Sequence, residues 1–333
     1  MLEHGGRLKQ FACRYQRPVE QWVDLSTGVS PRSYPLAAPP QEVWWHLPES
    51  STALLDAARQ YYQQSSLLAV AGSQAAIMAL PIILAEQFAA PLKVLLPRLG
   101  YQEHHQAWRT CGAVIRYFDE KPSDDDLDWC DVLLVIHPNN PAGWQYHPDE
   151  LLNWQQQLQA RGAWIIIDEA FIDVTPDLSV SAQAQQPGLI VLRSIGKFFG
   201  LAGARGGFVL ANATLLSRLE QYLGPWSVSG PTQWAMTQAL SDLSWQHQQR
   251  DDLITAGQRL ADLLSRYFSG VVNCHLFCRV PLKAATDYFE QFCQDGILPR
   301  LTDERDALRF GLPQSETHWQ RLQASCQRLV EIL

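Results

Sequence analysis

Four short runs of uninterrupted apolar residues constrain this chain more than any other feature: Val94–Leu96, Val132–Ile136, Trp164–Ile167 and Leu189–Leu192. A strand that alternates apolar and polar residues shows one face to water, whereas a strand apolar at every position must be covered on both faces. Longer stretches of helical character separate the runs. Pro148–Ala160 opens with Asp149 and Glu150, acidic residues where the helix dipole favours them. Ala75–Glu86 also reads as a helix, one that Pro81 is expected to kink or break. This alternation predicts an α/β domain with a mostly parallel central sheet flanked by helices.

From about Thr214 the character changes. Helices are expected over Ser217–Leu223 and Gln248–Phe268, then a strand (Cys274–Val280), a helix (Leu282–Asp295), a strand (Ala307–Gly311) and a closing amphipathic helix (Glu316–Ile332). That pattern predicts a small α+β domain over residues 221–333, after a large domain over residues 36–220. Residues 1–35, rich in Gly, Arg and Pro, fit neither pattern. They read as an arm that contributes to the small domain and covers the active site.

The chain has 333 residues, 47% apolar and 18% charged, which excludes a disordered or fibrous protein. Its net charge of −8 leaves no basic footprint for nucleic acid or an anionic membrane. The longest apolar run, Ala75–Ala85, is short of the roughly 18 residues a membrane span requires. Glu3, His4, Arg7 and Lys9 occupy the place where a signal peptide would be apolar. The seven cysteines are odd in number and scattered, so the expectation is a reduced, cytoplasmic protein. Cys274, His275 and Cys278 lie in the expected strand and no second ligand pair follows, so no metal site is expected.

In an open parallel sheet, ligands sit beyond the carboxyl ends of the strands. Those ends carry His137-Pro138-Asn139-Asn140-Pro141-Ala142-Gly143, then Asp168-Glu169-Ala170-Phe171, then Arg193-Ser194-Ile195-Gly196-Lys197, with Arg205 eight residues beyond Lys197. A weaker strand, Leu67–Ala71, leads to Gly72-Ser73-Gln74 at the opening of a helix. A P-loop is excluded, because Val191 and Phe198 stand where Gly and Ser or Thr are required. A dinucleotide fingerprint also fails, since Gly200, Gly203 and Gly206 are spaced three apart with no strand directly before them.

The order Asn140, Asp168, Ser194-x-x-Lys197, Arg205 resembles that of the fold-type I, pyridoxal-phosphate-dependent aminotransferase superfamily (class I/II), over nearly the whole chain. The resemblance implies pyridoxal 5'-phosphate held by the Lys197 amine, with Asp168 at the pyridine nitrogen and Asn140 at the ring hydroxyl. It implies a phosphate held by Gly72, Ser73, Gln74, Ser194 and Arg205, and Tyr101 stacked on the ring with His104 as a neighbour. A helix N-terminus and a guanidinium suit a phosphate dianion. The chain departs from the family in three places. Phe171 replaces a frequent tyrosine, Gly196 replaces a frequent Ser or Thr, and His46-Leu47-Pro48-Glu49 stands where a tyrosine often reaches the partner subunit's phosphate.

The flanks narrow the resemblance. His4-Gly5-Gly6, Asp24-Leu25-Ser26-Thr27-Gly28, Pro225-Trp226-Ser227-Val228, Leu298-Pro299-Arg300 and Leu308-Arg309-Phe310-Gly311 look like the threonine-phosphate decarboxylases of cobalamin synthesis, whose cousins are the histidinol-phosphate aminotransferases. That implies loss of CO2 from L-threonine O-3-phosphate in a homodimer. Arg309, Gly28 and Asn140 would bind the substrate, Arg309 at its carboxylate, with Arg300 and His4 at its phosphate. A histidinol-phosphate-type transamination and a catalytically silent regulator are the alternatives. No basic DNA-binding module accompanies the second, and the lysine is intact.

Overall fold

The computed structural model describes residues 4–332, which divide into two compact units. The larger comprises residues 34–140 and 144–247, and the smaller comprises, of the described residues, 4–33, 141–143 and 248–332. The strands, in chain order, are β1 (Val23–Asp24), β2 (Leu67–Val70), β3 (Lys93–Pro97), β4 (Val114–Phe118), β5 (Val132–Ile136), β6 (Trp164–Asp168), β7 (Leu189–Ser194), β8 (Gly207–Leu210), β9 (Val272–Asn273), β10 (Phe277–Pro281), β11 (Ile297–Leu298), β12 (Arg300–Leu301) and β13 (Ala307–Gly311).

The larger unit holds a seven-stranded sheet in the order β2-β8-β7-β6-β5-β3-β4. Strands β4, β3, β5, β6 and β7 are parallel to their neighbours, and β8 runs antiparallel to both β7 and β2. The apolar runs are continuous because both faces are covered. Val132, Leu134, Ile136, Ile166, Ile190 and Leu192 pack on one side with Ala76, Ile77, Leu80 and Leu84 of the Ser73–Ala85 helix and Leu215 and Leu219 of the Ala213–Leu223 helix. The intervening Leu133, Val135, Ile165, Ile167 and Val191 point to the other side and are equally buried. The edge strand β4 is largely exposed and mixed in sequence, so it carries no such run.

Pro81 does not break its helix, which runs unbroken from Ser73 to Ala85. A proline inside a helix costs about 3 kcal/mol. Seven residues of this helix are buried, Pro81 among them, and each large apolar side chain so placed contributes roughly 1.5–3 kcal/mol. Burial therefore outweighs the missing N–H. The expected boundary at residue 220 falls inside the Ala213–Leu223 helix, and the chain through His247 belongs to the larger unit. A further helix there, Gly230–Ser241, is capped by the Ser229 hydroxyl, which accepts from the Thr232 N–H. Its signal was Ser229 followed by Pro231 in the first turn.

The smaller unit has an antiparallel sheet, β12-β13-β10-β9, and the short parallel pair β1–β11. Strand β10 begins at Phe277 rather than the expected Cys274, because His275 adopts φ 57° and turns the chain. The N-terminal segment contains a helix, Leu8–Arg14, and then pairs through Val23 and Asp24 with Ile297 and Leu298. Among the described residues, no helix is long and apolar enough to cross a membrane.

Gly311 marks a close backbone crossing in this unit. Its N–H donates to the Leu25 carbonyl at 2.7 Å, and a Cβ here would lie 2.1 Å from the Thr27 carbonyl oxygen. Gly311→Ala must therefore push the 25–28 segment off β13. Denaturant titration should report a loss of about 1–3 kcal/mol, the usual cost of overpacking.

Candidate active site

The carboxyl ends of β5, β6 and β7 are set side by side by the ladder. Ile136 pairs with Asp168, and Asp168 with Leu192. Asp168 is buried, its Oδ1 accepting from the Ala170 N–H at 3.1 Å. Its Oδ2 lies 2.8 Å from Nε2 of the buried His104. A carboxylate only accepts, so that nitrogen is the donor, and the ring is oriented by the bond. His104 sits three residues after Tyr101, in the first turn of the Gln102–Thr110 helix, and the two rings meet edge to face with centroids 6.2 Å apart.

Tyr101 caps the start of that helix, and its hydroxyl donates to Gln74 Oε1 at 3.2 Å. Gln74 Nε2 in turn donates to Glu103 at 2.9 Å. Burial, then the nearby Glu103 and Asp168 carboxylates, push the Tyr101 phenol up from 10.0 to about 12. It is a neutral donor at neutral pH. Its contribution to stability is present below the ordinary phenol value and lost as pH climbs toward 12.

Gly72, Ser73 and Gln74 open a 13-residue helix; the Ser73 and Gln74 N–H groups precede its first hydrogen-bonded turn, and the Ala75 N–H donates to the Gly72 carbonyl at 3.1 Å. Gly72 takes φ 76°, and a Cβ there would lie 3.0 Å from an Arg205 guanidinium nitrogen. Arg205 itself takes the left-handed φ 55°. Ser194 pairs across the ladder with Gly207, and Gly207 pairs with Val70, two residues before Gly72. The Ser194 hydroxyl accepts from the Gly196 N–H at 3.2 Å. Lys197 is half-buried, its Nζ 5.4 Å from the Phe171 ring centre. Asn140 is half-buried in the loop after β5, beside Asn139, whose N–H and amide donate to the Trp144 and Leu99 carbonyls.

This donor set fits pyridoxal phosphate: a buried, oriented carboxylate, an amine beside an aromatic face, and a glycine-opened helix end with a hydroxyl and a guanidinium for the phosphate.

His4, Gly28, Arg300 and Arg309 belong to the smaller unit. Arg309 on β13 stands directly opposite Arg300 on β12. Arg309 is buried, its Nη2 donates to the Ser26 carbonyl at 2.6 Å, and its guanidinium lies 5.3 Å from the Phe277 ring centre. That bond ties it to the 25–28 segment holding the buried Gly28. Burial, then the like charge of Arg300, pull the Arg309 guanidinium down to about 10. Arg300 pairs with Asp303 at 2.7 Å. A pocket of about 150 Å³ is lined by His4, Arg7, Arg14, Arg300 and Arg305, with Ser26 at its wall. Only His4 and Arg300 of these were expected. Arg7 lies three residues from His4, and Arg305 takes the left-handed φ 56° in the β12–β13 turn. Spacing alone could not select them among the arginines.

The family model described as "Aminotransferase class I and II" matches residues 45–305. The chain belongs to the aminotransferase class I and II family. Within it, the chain is 46% identical over 326 residues to a threonine-phosphate decarboxylase of Pseudomonas aeruginosa, covering 98% of this chain and 97% of that one. Two solved structures share the fold. One is an L-threonine-O-3-phosphate decarboxylase from Porphyromonas gingivalis (TM-score 0.75, 17% identity, 92% of this chain and 99% of that one). The other is a histidinol-phosphate aminotransferase from Sinorhizobium meliloti in complex with pyridoxal-5'-phosphate (TM-score 0.80, 17% identity, 99% and 95%). The aminotransferase class I and II fold thus accounts for the sheet, and the contact of His104 with Asp168 is one to which the sequence had given no role.

Arg309 is costly to the unliganded class I/II chain, because a buried guanidinium faces a like charge. Arg309→Met removes that charge at similar volume. In the absence of ligand, thermal unfolding of the variant should begin no earlier than wild type. Binding of a carboxylate ligand should fall at least about tenfold, the loss of one charge-assisted bond. A destabilised variant with intact binding would overturn this account of Arg309.

Proposed function

We propose that the chain holds pyridoxal 5'-phosphate and decarboxylates L-threonine O-3-phosphate to (R)-1-aminopropan-2-ol O-2-phosphate, a step of cobalamin biosynthesis. The observation that carries this reading is the 46% identity sustained over 98% of the chain with a threonine-phosphate decarboxylase. When bound, the cofactor ring supplies a sink for the electron pair of the breaking Cα–carboxylate bond. The rest falls to the chain's own residues. Asp168, oriented by His104, would accept from the pyridine N–H and keep that nitrogen protonated. Asn140 would donate to the ring hydroxyl, and Tyr101 would supply an aromatic neighbour to the ring. Gly72, Ser73, Gln74, Ser194 and Arg205 would hold the cofactor phosphate. Lys197 would hold the cofactor through its amine and would be the proton donor, from Nζ, to Cα after CO2 is lost.

Within the smaller unit, Arg309 and Gly28 are assigned to the substrate carboxylate. A planar guanidinium matches a carboxylate with two parallel bonds. His4 and Arg300 are assigned to the substrate phosphate, and the cation-lined pocket supports that assignment, adding Arg7 and Arg305. The pocket is small, which suits a tetrahedral anion rather than a bulky side chain.

A homodimer is part of the same reading. It is supported by Leu36, Trp44, Trp45 and Leu47, large apolar side chains left exposed within one short stretch of the larger unit. A cytoplasmic setting is supported by the seven cysteines, all of them free thiols.

Purified protein supplied with pyridoxal phosphate and threonine phosphate should release one CO2 per substrate without consuming a keto acid. Transamination of histidinol phosphate with 2-oxoglutarate, and no CO2 from threonine phosphate, would sink the reading. Lys197→Ala should abolish the borohydride-sensitive visible band of the loaded protein and lower turnover by several orders of magnitude.

A further inference from the structure

Immediately behind Asp168 and Ser194 lies a second polar cluster that the reaction does not use. Glu169 follows Asp168, Arg193 precedes Ser194, and both are almost wholly buried. Arg193 Nη1 lies 2.9 Å from Glu169 Oε2, and its Nη2 donates to Asp173, which is also buried. Glu169 Oε1 accepts from the Val180 N–H at 2.8 Å, and Oε2 accepts from the Ser181 hydroxyl at 3.0 Å. Asp173 accepts from the Tyr61 hydroxyl at 2.8 Å, and the Arg193 guanidinium lies 4.7 Å from the Tyr62 ring centre. Burial works against the Arg193 charge, but Asp173 and Glu169 more than compensate and hold it firmly protonated.

A buried ion cluster of this kind is a poor device for stability, because desolvation consumes most of the attraction. It is a good device for fixing one arrangement, since the two Nη groups of Arg193 are aimed at Glu169 and Asp173 while its Nε is left without a partner. Its position is the informative part. Asp168 and Glu169 are consecutive at the end of β6, and Arg193 and Ser194 are consecutive at the end of β7. Successive strand residues point to opposite faces. The Glu169–Arg193 pair therefore joins β6 to β7 on the face away from Ser194, at the level where Asp168 and the 194–197 turn leave the sheet. Asp173 and Ser181 tie the following loop to the same guanidinium.

We propose that the Arg193–Glu169–Asp173 cluster is a positioning element that fixes Asp168 relative to Lys197, so that pyridine nitrogen and aldehyde carbon are met together. The inference rests on the pyridoxal phosphate reading above. Glu169 and Arg193 touch neither cofactor nor substrate in this role. They act through the residues beside them in the chain.

The test uses the full-length protein loaded with pyridoxal phosphate. Glu169→Gln keeps the shape and accepting oxygen but removes the charge; Arg193→Lys keeps the charge but removes the fork; Arg193→Met removes both. Three measurements are read: thermal unfolding, the affinity for pyridoxal phosphate by titration of the visible band, and the pH midpoint of that band. We expect Glu169→Gln and Arg193→Met to weaken cofactor binding at least tenfold and to move the midpoint by more than half a unit while unfolding stays cooperative. Arg193→Lys should recover part of both. Folded variants with wild-type affinity and midpoint would overturn the inference and leave the cluster a purely structural one. Should Arg193→Met fail to fold, Glu169→Gln and Arg193→Lys are read against wild type by the same two measurements. A wild-type protein with no visible band would instead remove the cofactor reading itself.

Discussion

One row of the sheet sets the geometry of the larger unit's site. Val70 pairs with Gly207, and Gly207 pairs with Ser194. Through that row, the helix that opens at Gly72, the Arg205 turn and the hydroxyl of Ser194 are brought to one place by backbone hydrogen bonds rather than by side-chain attraction. Gly207 makes the approach feasible. A Cβ there would lie 2.6 Å from the Arg193 carbonyl oxygen and 2.9 Å from the Ser73 nitrogen. The antiparallel strand β8, inserted between β7 and β2, is therefore the element on which the proposed phosphate cradle depends. Because β8 runs antiparallel to both neighbours, its amino end, with Arg205 just before it, lies at the carboxyl ends of β7 and β2.

Charge follows a similar logic of local arrangement. A chain of net charge −8 gathers Arg7, Arg14, Arg300 and Arg305 about one small pocket and buries Arg309 nearby. The cost of that burial appears in the lowered guanidinium of Arg309. Asp303 and Glu290, paired with Arg300 and Arg14, temper the repulsion, and Glu290 itself lines the pocket. Such a concentration of cationic side chains about one pocket is suited to an anion.

The central strands were legible because burial on both faces writes an unbroken apolar run, and β13 and the last helix were legible from their periodicity. The edge strand β4 was not, since Arg116 and Tyr117 face solvent and dilute its pattern. The turn at His275 was not, because a left-handed histidine carries no composition signal. Pro81 misled because intrinsic propensity is a weak term beside seven buried residues. At the site, Asn140, Asp168, Ser194, Lys197 and Arg205 stood in a recognisable order. His104 acquired its place from the helix turn that follows Tyr101, and Arg7 and Arg305 from a pocket that only the folded backbone defines.

Two departures from the family pattern also find a physical context. Phe171 offers the Lys197 amine an aromatic face, its ring centre 5.4 Å from Nζ, where a tyrosine would add a hydroxyl. Gly196 leaves room at a tight turn, where a Cβ would lie 3.2 Å from the Ala202 backbone. The alternation of a strand explains why site and foundation are neighbours in sequence. Asp168 and Ser194 serve the ligand side, while Glu169 and Arg193, one step away, reach the opposite side. A residue that carries chemistry at a strand end is thus bound to share its backbone with one that anchors it. The polar character of Glu169 and Arg193, at positions where the flanking strands are wholly apolar, is the trace that this coupling leaves in the sequence.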